Sequence, residues 1–341
     1  MGDYGEEVRG PYLFVSVCVI PVAWRGVRVI RYEELAAAAR RGDCVFVLEH
    51  ADALLFQGDC PADKVGWVFY YKCDAALGSD KPVLAIAAGE QALTWAIAHK
   101  DRDLEGRVRI HLGCSMLRLG RTAEAASLLE GYLAGVKKHP EWKENEDLAR
   151  ANLAVAYRHS GRLSDAVAQY RKSLELPESR PGSHLQIRQN LAWALLLLGD
   201  AAEARAQLDV VGAHVRDTLS LDKAMSLWVD RAALYLLEGD TAGAKAACHM
   251  VLEALDEKNR AVYLATTYVT LGRIALNEGD RAEAQRCSML ARTHAEKGER
   301  WDLHNEATRL WVSASEKGGT TGEASGLAAA VRLLIVGRGG P

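Results

Sequence analysis

The sequence predicts an all-α solenoid of stacked helical hairpins, and two observations lead to this fold class. Between residues 113 and 284 a Gly or Ala, in most copies preceded by Leu, is followed seven residues later by Gly, with an Ala five residues further on, five times in succession. The composition, with 49% hydrophobic residues, 26% charged residues and a net charge of −3, is typical of a folded chain with a large interior. Self-similarity at a fixed period indicates stacked identical units, which usually bind other proteins.

The first 31 residues do not follow this spacing. The stretch 12–20 is apolar and β-branched, and after Pro21 and Gly26 the residues 27–31 alternate partially between apolar and basic. This pattern predicts a short β-hairpin within residues 1–31. The apolar run is too short for a membrane span, and the acidic residues before it do not suit a signal peptide, so we expect a cytoplasmic protein.

Residues 32–103 are predicted to form degenerate helical hairpins. Residues 66–78 suggest a first helix ending at the turn glycine Gly78, which precedes Gly120 by 42 residues, and residues 82–99 suggest a second helix with Pro82 in its first turn. Residues 32–41 and 44–56 flank Gly42 and suggest a further hairpin.

Five clear repeats occupy residues 104–296. In each unit a small residue allows two antiparallel helices to approach closely, and a glycine suits the C-terminus of the first helix. The close-approach positions are Gly113, Ala154, Ala192, Ala232 and Gly272; the turn glycines are Gly120, Gly161, Gly199, Gly239 and Gly279; and the alanines that follow are Ala125, Ala166, Ala204, Ala244 and Ala284.

The clearest unit runs from Asn152 to Pro177, with Leu153, Ala154, Tyr157, Gly161, Ala166 and Tyr170 in between. This pattern resembles the tetratricopeptide repeat family, and the resemblance implies a right-handed superhelix whose first helices line a concave groove. The turn glycines are 41, 38, 40 and 40 residues apart, against a usual period of about 34. The long period is similar to that of Rap-type and NprR-type peptide receptors.

Residues 297–341 are predicted to close the array. Residues 300–316 suggest a capping helix, residues 317–325 a linker, and residues 326–336 a last helix with an apolar face. That face could cap the array or form a homodimer, and the sequence leaves both open.

No pattern of residues in the sequence indicates a catalytic site. Seven cysteines are scattered without a Cys-x-x-Cys pair, which fits reduced thiols, and there is no phosphate-binding loop, His-Glu-x-x-His motif or nucleophile elbow. We therefore expect no metal, no cofactor and no catalytic residues, with an enzyme assembled across repeats as the least favoured hypothesis. The stretch 32–55 does not resemble a DNA-recognition helix-turn-helix, and nucleic acid is not expected as a partner.

The resemblance places ligand-binding residues on the first helices, at equal distances before each turn glycine. We take the residues that stand nine, six and two positions before a turn glycine, together with the neighbour of the last. The candidate partner-binding residues are Asn152, Asn190, Trp193, His111, Arg118, Arg158, His159, Asp230 and Arg273. Asn152 and Asn190 are the strongest candidates, because a side-chain amide can donate to and accept from a peptide backbone. Aligning either residue with the carboxylate clamp of chaperone-binding members supplies no cations, so that clamp is not expected.

The sequence thus predicts a module that binds a protein or peptide segment in the concave groove. The alternative is a peptide-responsive regulator of the Rap or NprR kind that controls a partner protein through its N-terminal segment.

Overall fold

The computed structural model describes residues 30–56, 60–218, 221–254, 261–297 and 301–315. The predicted β-hairpin falls almost wholly on residues 1–29, and the predicted last helix on residues 326–336, so both lie outside the described residues and stay predictions. No helix in the described part of the chain is long and apolar enough to cross a membrane.

The described residues form fifteen α-helices, and fourteen of these pair into seven hairpins. The helices are α1 (Tyr32–Arg40), α2 (Cys44–Phe56), α3 (Val65–Gly78), α4 (Pro82–His99), α5 (Arg102–Arg118), α6 (Thr122–Gly135), α7 (Glu146–His159), α8 (Leu163–Leu174), α9 (Ser183–Leu198), α10 (Ala201–Thr218), α11 (Leu221–Leu237), α12 (Thr241–Glu253), α13 (Ala261–Asn277), α14 (Arg281–Lys297) and α15 (Trp301–Ser315). The odd-numbered helices α1 to α13 are the first helices of their hairpins, and α15 packs on the last hairpin. The predicted all-α superhelical solenoid is confirmed.

One turn geometry joins the two helices of every hairpin. A residue with a left-handed backbone ends each turn, and the N–H of the following residue donates to the carbonyl five positions earlier, which satisfies a carbonyl that the helix end leaves open. The left-handed residues are Gly42, Asp80, Gly120, Gly161, Gly199, Gly239 and Gly279, with φ between 55° and 83°.

The turn of the second hairpin differs from the prediction that Gly78 is its turn residue. Gly78 is still helical, and the left-handed residue is Asp80, with a φ of 55°. Asp is one of the few residues other than glycine that tolerate this conformation, because its side chain is short and polar. Asp80 precedes Gly120 by 40 residues, so the period is closer to constant than Gly78 suggested.

The small residues lie where the two helices of a hairpin meet. The five alanines that follow the turn glycines by five positions are all 0% exposed. Gly113 packs against Leu129 of α6, whose side-chain atoms lie 3.0 Å from where a Cβ would be, so a larger residue would separate the helices. The close-approach positions of the repeat are confirmed.

First helices form the inner layer of the array. Each first helix contacts the next first helix, as α5 contacts α7 and α11 contacts α13, whereas second helices do not make comparably extensive contacts with one another in the described part of the chain. An array that is closer packed along its first helices curves towards them. The first helices therefore line the concave face, as the family resemblance implied.

Candidate functional site

Side chains of successive first helices meet in pairs along the concave face. One member stands six residues before a turn residue, and the other stands nine residues before the next turn residue. Two such pairs are hydrogen-bonded, Asp74 with His111 and Trp193 with Asp230, and in a third pair Asn152 lies beside Cys114. We call these the inner-face pairs. They show that several of the predicted ligand-binding residues also hold neighbouring hairpins together.

The pair of His111 with Asp74 joins α3 to α5. Nδ1 of His111 lies 2.9 Å from the carbonyl oxygen of Arg107, and Nε2 lies 3.0 Å from Oδ1 of Asp74. Both ring nitrogens of His111 therefore lie within hydrogen-bond distance of an oxygen atom, one on its own helix and one on α3. Burial opposes the ionisation of Asp74, but the hydrogen bond and charge of His111 prevail and lower the pKa of Asp74.

A pocket of about 350 Å³ lies between α3, α5 and α7, and we call it the α3–α5–α7 pocket. His111, Arg118 and Asn152 line it, so three of the predicted residues come together here. Its other lining residues are Cys44, Asp74, Leu77, Gly78, Ile110, Cys114, Leu148 and Arg180. The pocket joins three hairpins, with apolar walls and several polar groups, and this combination is typical of a recognition site.

Within the pocket Arg118 and Asn152 also have partners in the protein. Nη1 of Arg118 donates to the carbonyl of Leu77 at 2.8 Å and to Oδ1 of Asp80 at 2.9 Å. The side chain of Asn152 lies beside the thiol of Cys114, and burial raises the pKa of this thiol to about 11. Cys114 is therefore a neutral polar contact in the pocket and not a nucleophile.

Sequence models of the tetratricopeptide repeat match the chain at residues 106–130, 148–176 and 188–209. These segments coincide with the third, fourth and fifth hairpins. The chain therefore contains tetratricopeptide repeats in these three segments. No curated protein matches it significantly.

Three solved structures are similar to this chain at low sequence identity. A Rap protein complexed with competence and sporulation factor is 11% identical, with a TM-score of 0.53 over 84% of this chain and 74% of that chain. The apo form of RapI is 13% identical, with a TM-score of 0.49 over 77% and 78% of the two chains. A tetratricopeptide repeat protein from Parabacteroides merdae is 17% identical, with a TM-score of 0.46 over 74% and 99%. At such identities the likeness concerns the fold alone.

Asn190 differs from the other residues that stand nine positions before a turn residue. The residue six before the preceding turn is Val155, which has no polar group to pair with it. Asn190 is half-buried on α9, and its side chain makes no hydrogen bond to any residue that the structure describes. Its amide is therefore available to a ligand on the concave face.

Trp193 and Asp230 form a closed cluster. Asp230 is 0% exposed, and its carboxylate accepts from Nε1 of Trp193 and Nε2 of Gln189. Nε2 of Gln189 also lies 2.7 Å from Oγ of Ser226. The expected direct contact of Asp230 with a ligand is not what the structure shows, because its oxygens are enclosed by neighbouring side chains.

Arg158 and His159 lie beside this cluster at the end of α7. The guanidinium carbon of Arg158 lies 5.8 Å from the centre of the Trp193 ring, and its Nη2 lies 3.2 Å from Nε2 of His159. Burial, together with the charge of Arg158, lowers the pKa of His159 to about 4. His159 is therefore neutral near pH 7 and contributes no positive charge to the concave face.

Arg273 is held by a buried ion pair. Nη2 of Arg273 bonds to Oε1 of Glu306, and the two side chains are 12% and 7% exposed. Burial lowers the pKa of Arg273, although Glu306 opposes this effect. The pair fastens α15 to α13, so a ligand would have to displace Glu306 before it could bind Arg273.

The prediction from sequence missed two charged residues of the α3–α5–α7 pocket, Asp74 and Arg180. Asp74 stands six residues before Asp80, and taking the 40-residue period from Gly120 would have placed it opposite His111. Arg180 lies in the connection between α8 and α9, and the offsets from the turn residues apply only to the first helices.

Proposed function

We propose that this tetratricopeptide-repeat protein is an interaction module that binds an extended segment of a protein or peptide along its concave face. The observation that carries the proposal is the α3–α5–α7 pocket, which brings together polar groups from three successive hairpins. A groove with hydrogen-bonding groups on successive hairpins suits a ligand that is itself extended.

Asn190 extends this surface by one more hairpin. Its amide can accept from a backbone N–H and donate to a backbone carbonyl, so it can hold an extended peptide independently of the peptide's side chains. With Asn152 in the pocket, the two amides mark a path from α7 to α9.

The test is selection of binders from a phage-displayed library of unstructured linear peptides, followed by calorimetry with synthetic copies. We expect the wild-type chain to select peptides, and Asn190→Ala to weaken their binding about two- to tenfold, since a single hydrogen bond is lost. Replacing Asn152 as well should weaken binding further.

Asn305→Ala is the matched control, because Asn305 is an exposed asparagine on α15 outside the proposed path. Equal affinities of the Asn190→Ala and Asn305→Ala variants would contradict the role of Asn190. Failure of the wild-type chain to select any peptide would contradict the proposal that it binds peptides.

Control of a partner protein in the manner of a Rap protein remains the alternative. The similar Rap structure contains competence and sporulation factor, but 11% identity concerns the fold alone. We propose neither that factor as a ligand nor an enzymatic activity for this chain.

A further inference from the structure

The connection between α8 and α9 is fastened to the start of α7. Its Ser179 donates its backbone N–H to Oδ2 of Asp147 at 3.1 Å, and the hydroxyl of Ser183 lies 3.4 Å from the same oxygen. Asp147 is only 1% exposed, and its own carbonyl accepts from the hydroxyl of Ser173 at 2.6 Å. A buried carboxylate that accepts a backbone N–H holds a loop in one position.

This anchor places Arg180 at the α3–α5–α7 pocket. Arg180 lines the pocket, and its charge acts on Asp74 and Cys114, which line the same pocket. The side chain is exposed, and its guanidinium makes no hydrogen bond or ion pair with any residue in the described ranges. The five N–H donors of this guanidinium are therefore available to a ligand.

The polar groups around the pocket differ in whether they have a partner in the protein. Oδ1 of Asp74 lies 3.0 Å from Nε2 of His111, and Oδ1 of Asp80 accepts from Arg118. The guanidinium of Arg180 has no such partner among the described residues. An Asp or Glu carboxylate in the pocket would supply one, because guanidinium groups bind carboxylates with two parallel hydrogen bonds.

We infer that the α3–α5–α7 pocket receives an Asp or Glu side chain of the bound peptide, and that Arg180 recognises this carboxylate. Asp147 is the positioning residue that holds the loop carrying Arg180. The inference rests on the proposed function, because it names the chemical group that the peptide inserts. The cation of this site comes from the connection between α8 and α9 and not from a first helix.

The test uses the same peptide library with the full chain and its Arg180→Gln variant. Peptides selected by the wild-type chain should be enriched in Asp or Glu at one position, and this enrichment should disappear with Arg180→Gln. Arg216→Gln is the control, since Arg216 is an exposed arginine on α10 and its replacement changes the net charge equally.

Selected peptides are then titrated with an amidated C-terminus. Replacing the acidic residue by its amide should weaken binding to the wild-type chain about tenfold or more, and should have little effect with Arg180→Gln. Peptides that bind only with a free C-terminus would overturn the inference in favour of a terminal carboxylate.

Asp147→Asn tests the anchor. This variant should weaken binding in the wild-type background but not in the Arg180→Gln background, because its effect passes through Arg180. A merely structural role would weaken binding equally in both backgrounds and would overturn the role of Asp147 as a positioning residue.

The experiments distinguish failure of this inference from failure of the proposed peptide binding. If peptides are selected without any acidic preference, or bind Arg180→Gln as tightly as wild type, the inference is overturned while the proposed function stands. If the wild-type chain selects no peptides, both are overturned.

Discussion

The carboxylate of Asp230 is fully buried, so its contribution to stability depends on the groups that donate to it. Trp193 reaches it from α9, and Gln189 lies one turn earlier on the same helix. A buried acceptor that loses a donor retains the cost of desolvation without the compensating hydrogen bond. Trp193 is therefore a structural residue of the concave face as well as a neighbour of Asn190.

We predict that Trp193→Phe lowers the free energy of unfolding by about 1–3 kcal/mol, because phenylalanine keeps an aromatic ring but cannot donate to Asp230. Urea unfolding followed by circular dichroism measures this change. Trp311→Phe is the control, since Trp311 is 40% exposed and should lose little stability. Equal unfolding midpoints for the two variants would show that the indole hydrogen bond contributes nothing.

His159 makes stability depend on pH. Burial and Arg158 lower its pKa to about 4 in the folded protein, whereas an unfolded histidine titrates near about 6.5. Between these values the unfolded chain binds more protons, so the stability contribution is present above about pH 6.5 and is lost as the pH falls towards about 4.

We predict that His159→Gln reduces the loss of stability between about pH 7 and about pH 5. Urea unfolding at both pH values, with wild type and variant, measures the difference. The exposed His99 provides a control in His99→Gln. The same loss of stability in wild type and His159→Gln would contradict the effect of burial on the pKa of His159.

The left-handed turn is the element that repeats most regularly along the chain. Seven such turns recur at spacings of 38 to 41 residues, and all of them close with the same backbone hydrogen bond. In six turns the left-handed residue is glycine. Asp80 occupies the seventh and in addition bonds to Arg118, so the departure from glycine gives this turn a side chain at the edge of the pocket.

We predict opposite effects of Gly→Ala at two positions that both have open space for a Cβ. Gly161 has a φ of +78°, so Gly161→Ala should destabilise the protein by about 1–2 kcal/mol. Gly131 lies within α6, so Gly131→Ala should stabilise it by about 0.5–1 kcal/mol. Thermal unfolding of both variants measures the effects, and shifts of the same sign would contradict the assignment of backbone conformation.

Hairpins could be predicted from the sequence more fully than the contacts between them. The helices at residues 32–41, 44–56, 82–99 and 300–316 are present within one or two residues, because turn glycines and helix periodicity are local signals. The inner-face pairs could not be predicted, because each joins two hairpins and depends on how the hairpins pack. Asn152 and Asn190 stand at the same position of successive repeats, but only Asn152 has a polar side chain, that of Cys114, beside it at the pairing position.

The whole molecule is an array in which each hairpin contacts mainly its neighbours. Trp142 shows how the connection between two hairpins is held against the first of them. It lies in the short connection before α7, stacks on Tyr132 of α6 with ring centres 4.9 Å apart, and donates its Nε1–H to the carbonyl of Arg102 on α5 at 2.7 Å. The third and fourth hairpins, which form much of the pocket, therefore depend on this side chain.

We predict that Trp142→Ala destabilises the array by about 3–5 kcal/mol, as expected for removal of a buried aromatic residue. Hydrogen exchange measured by mass spectrometry should show the largest loss of protection in α5 to α8 and little change in α13 and α14, because coupling in a repeat array runs between neighbours. A uniform loss of protection along the chain would instead indicate a single cooperative unit.

The sequence by itself determined the hairpins, their spacing of 38 to 41 residues and the small residues at the helix contacts, whereas the concave first helices were implied by the family resemblance alone. The first three features follow from backbone conformation and helix periodicity, which act over a few residues. Only the tertiary structure decided which polar side chains face each other and which remain available. Asp74 and His111 are 37 residues apart, and Arg180 reaches the pocket from a loop, so their proximity depends on the packing of separate hairpins.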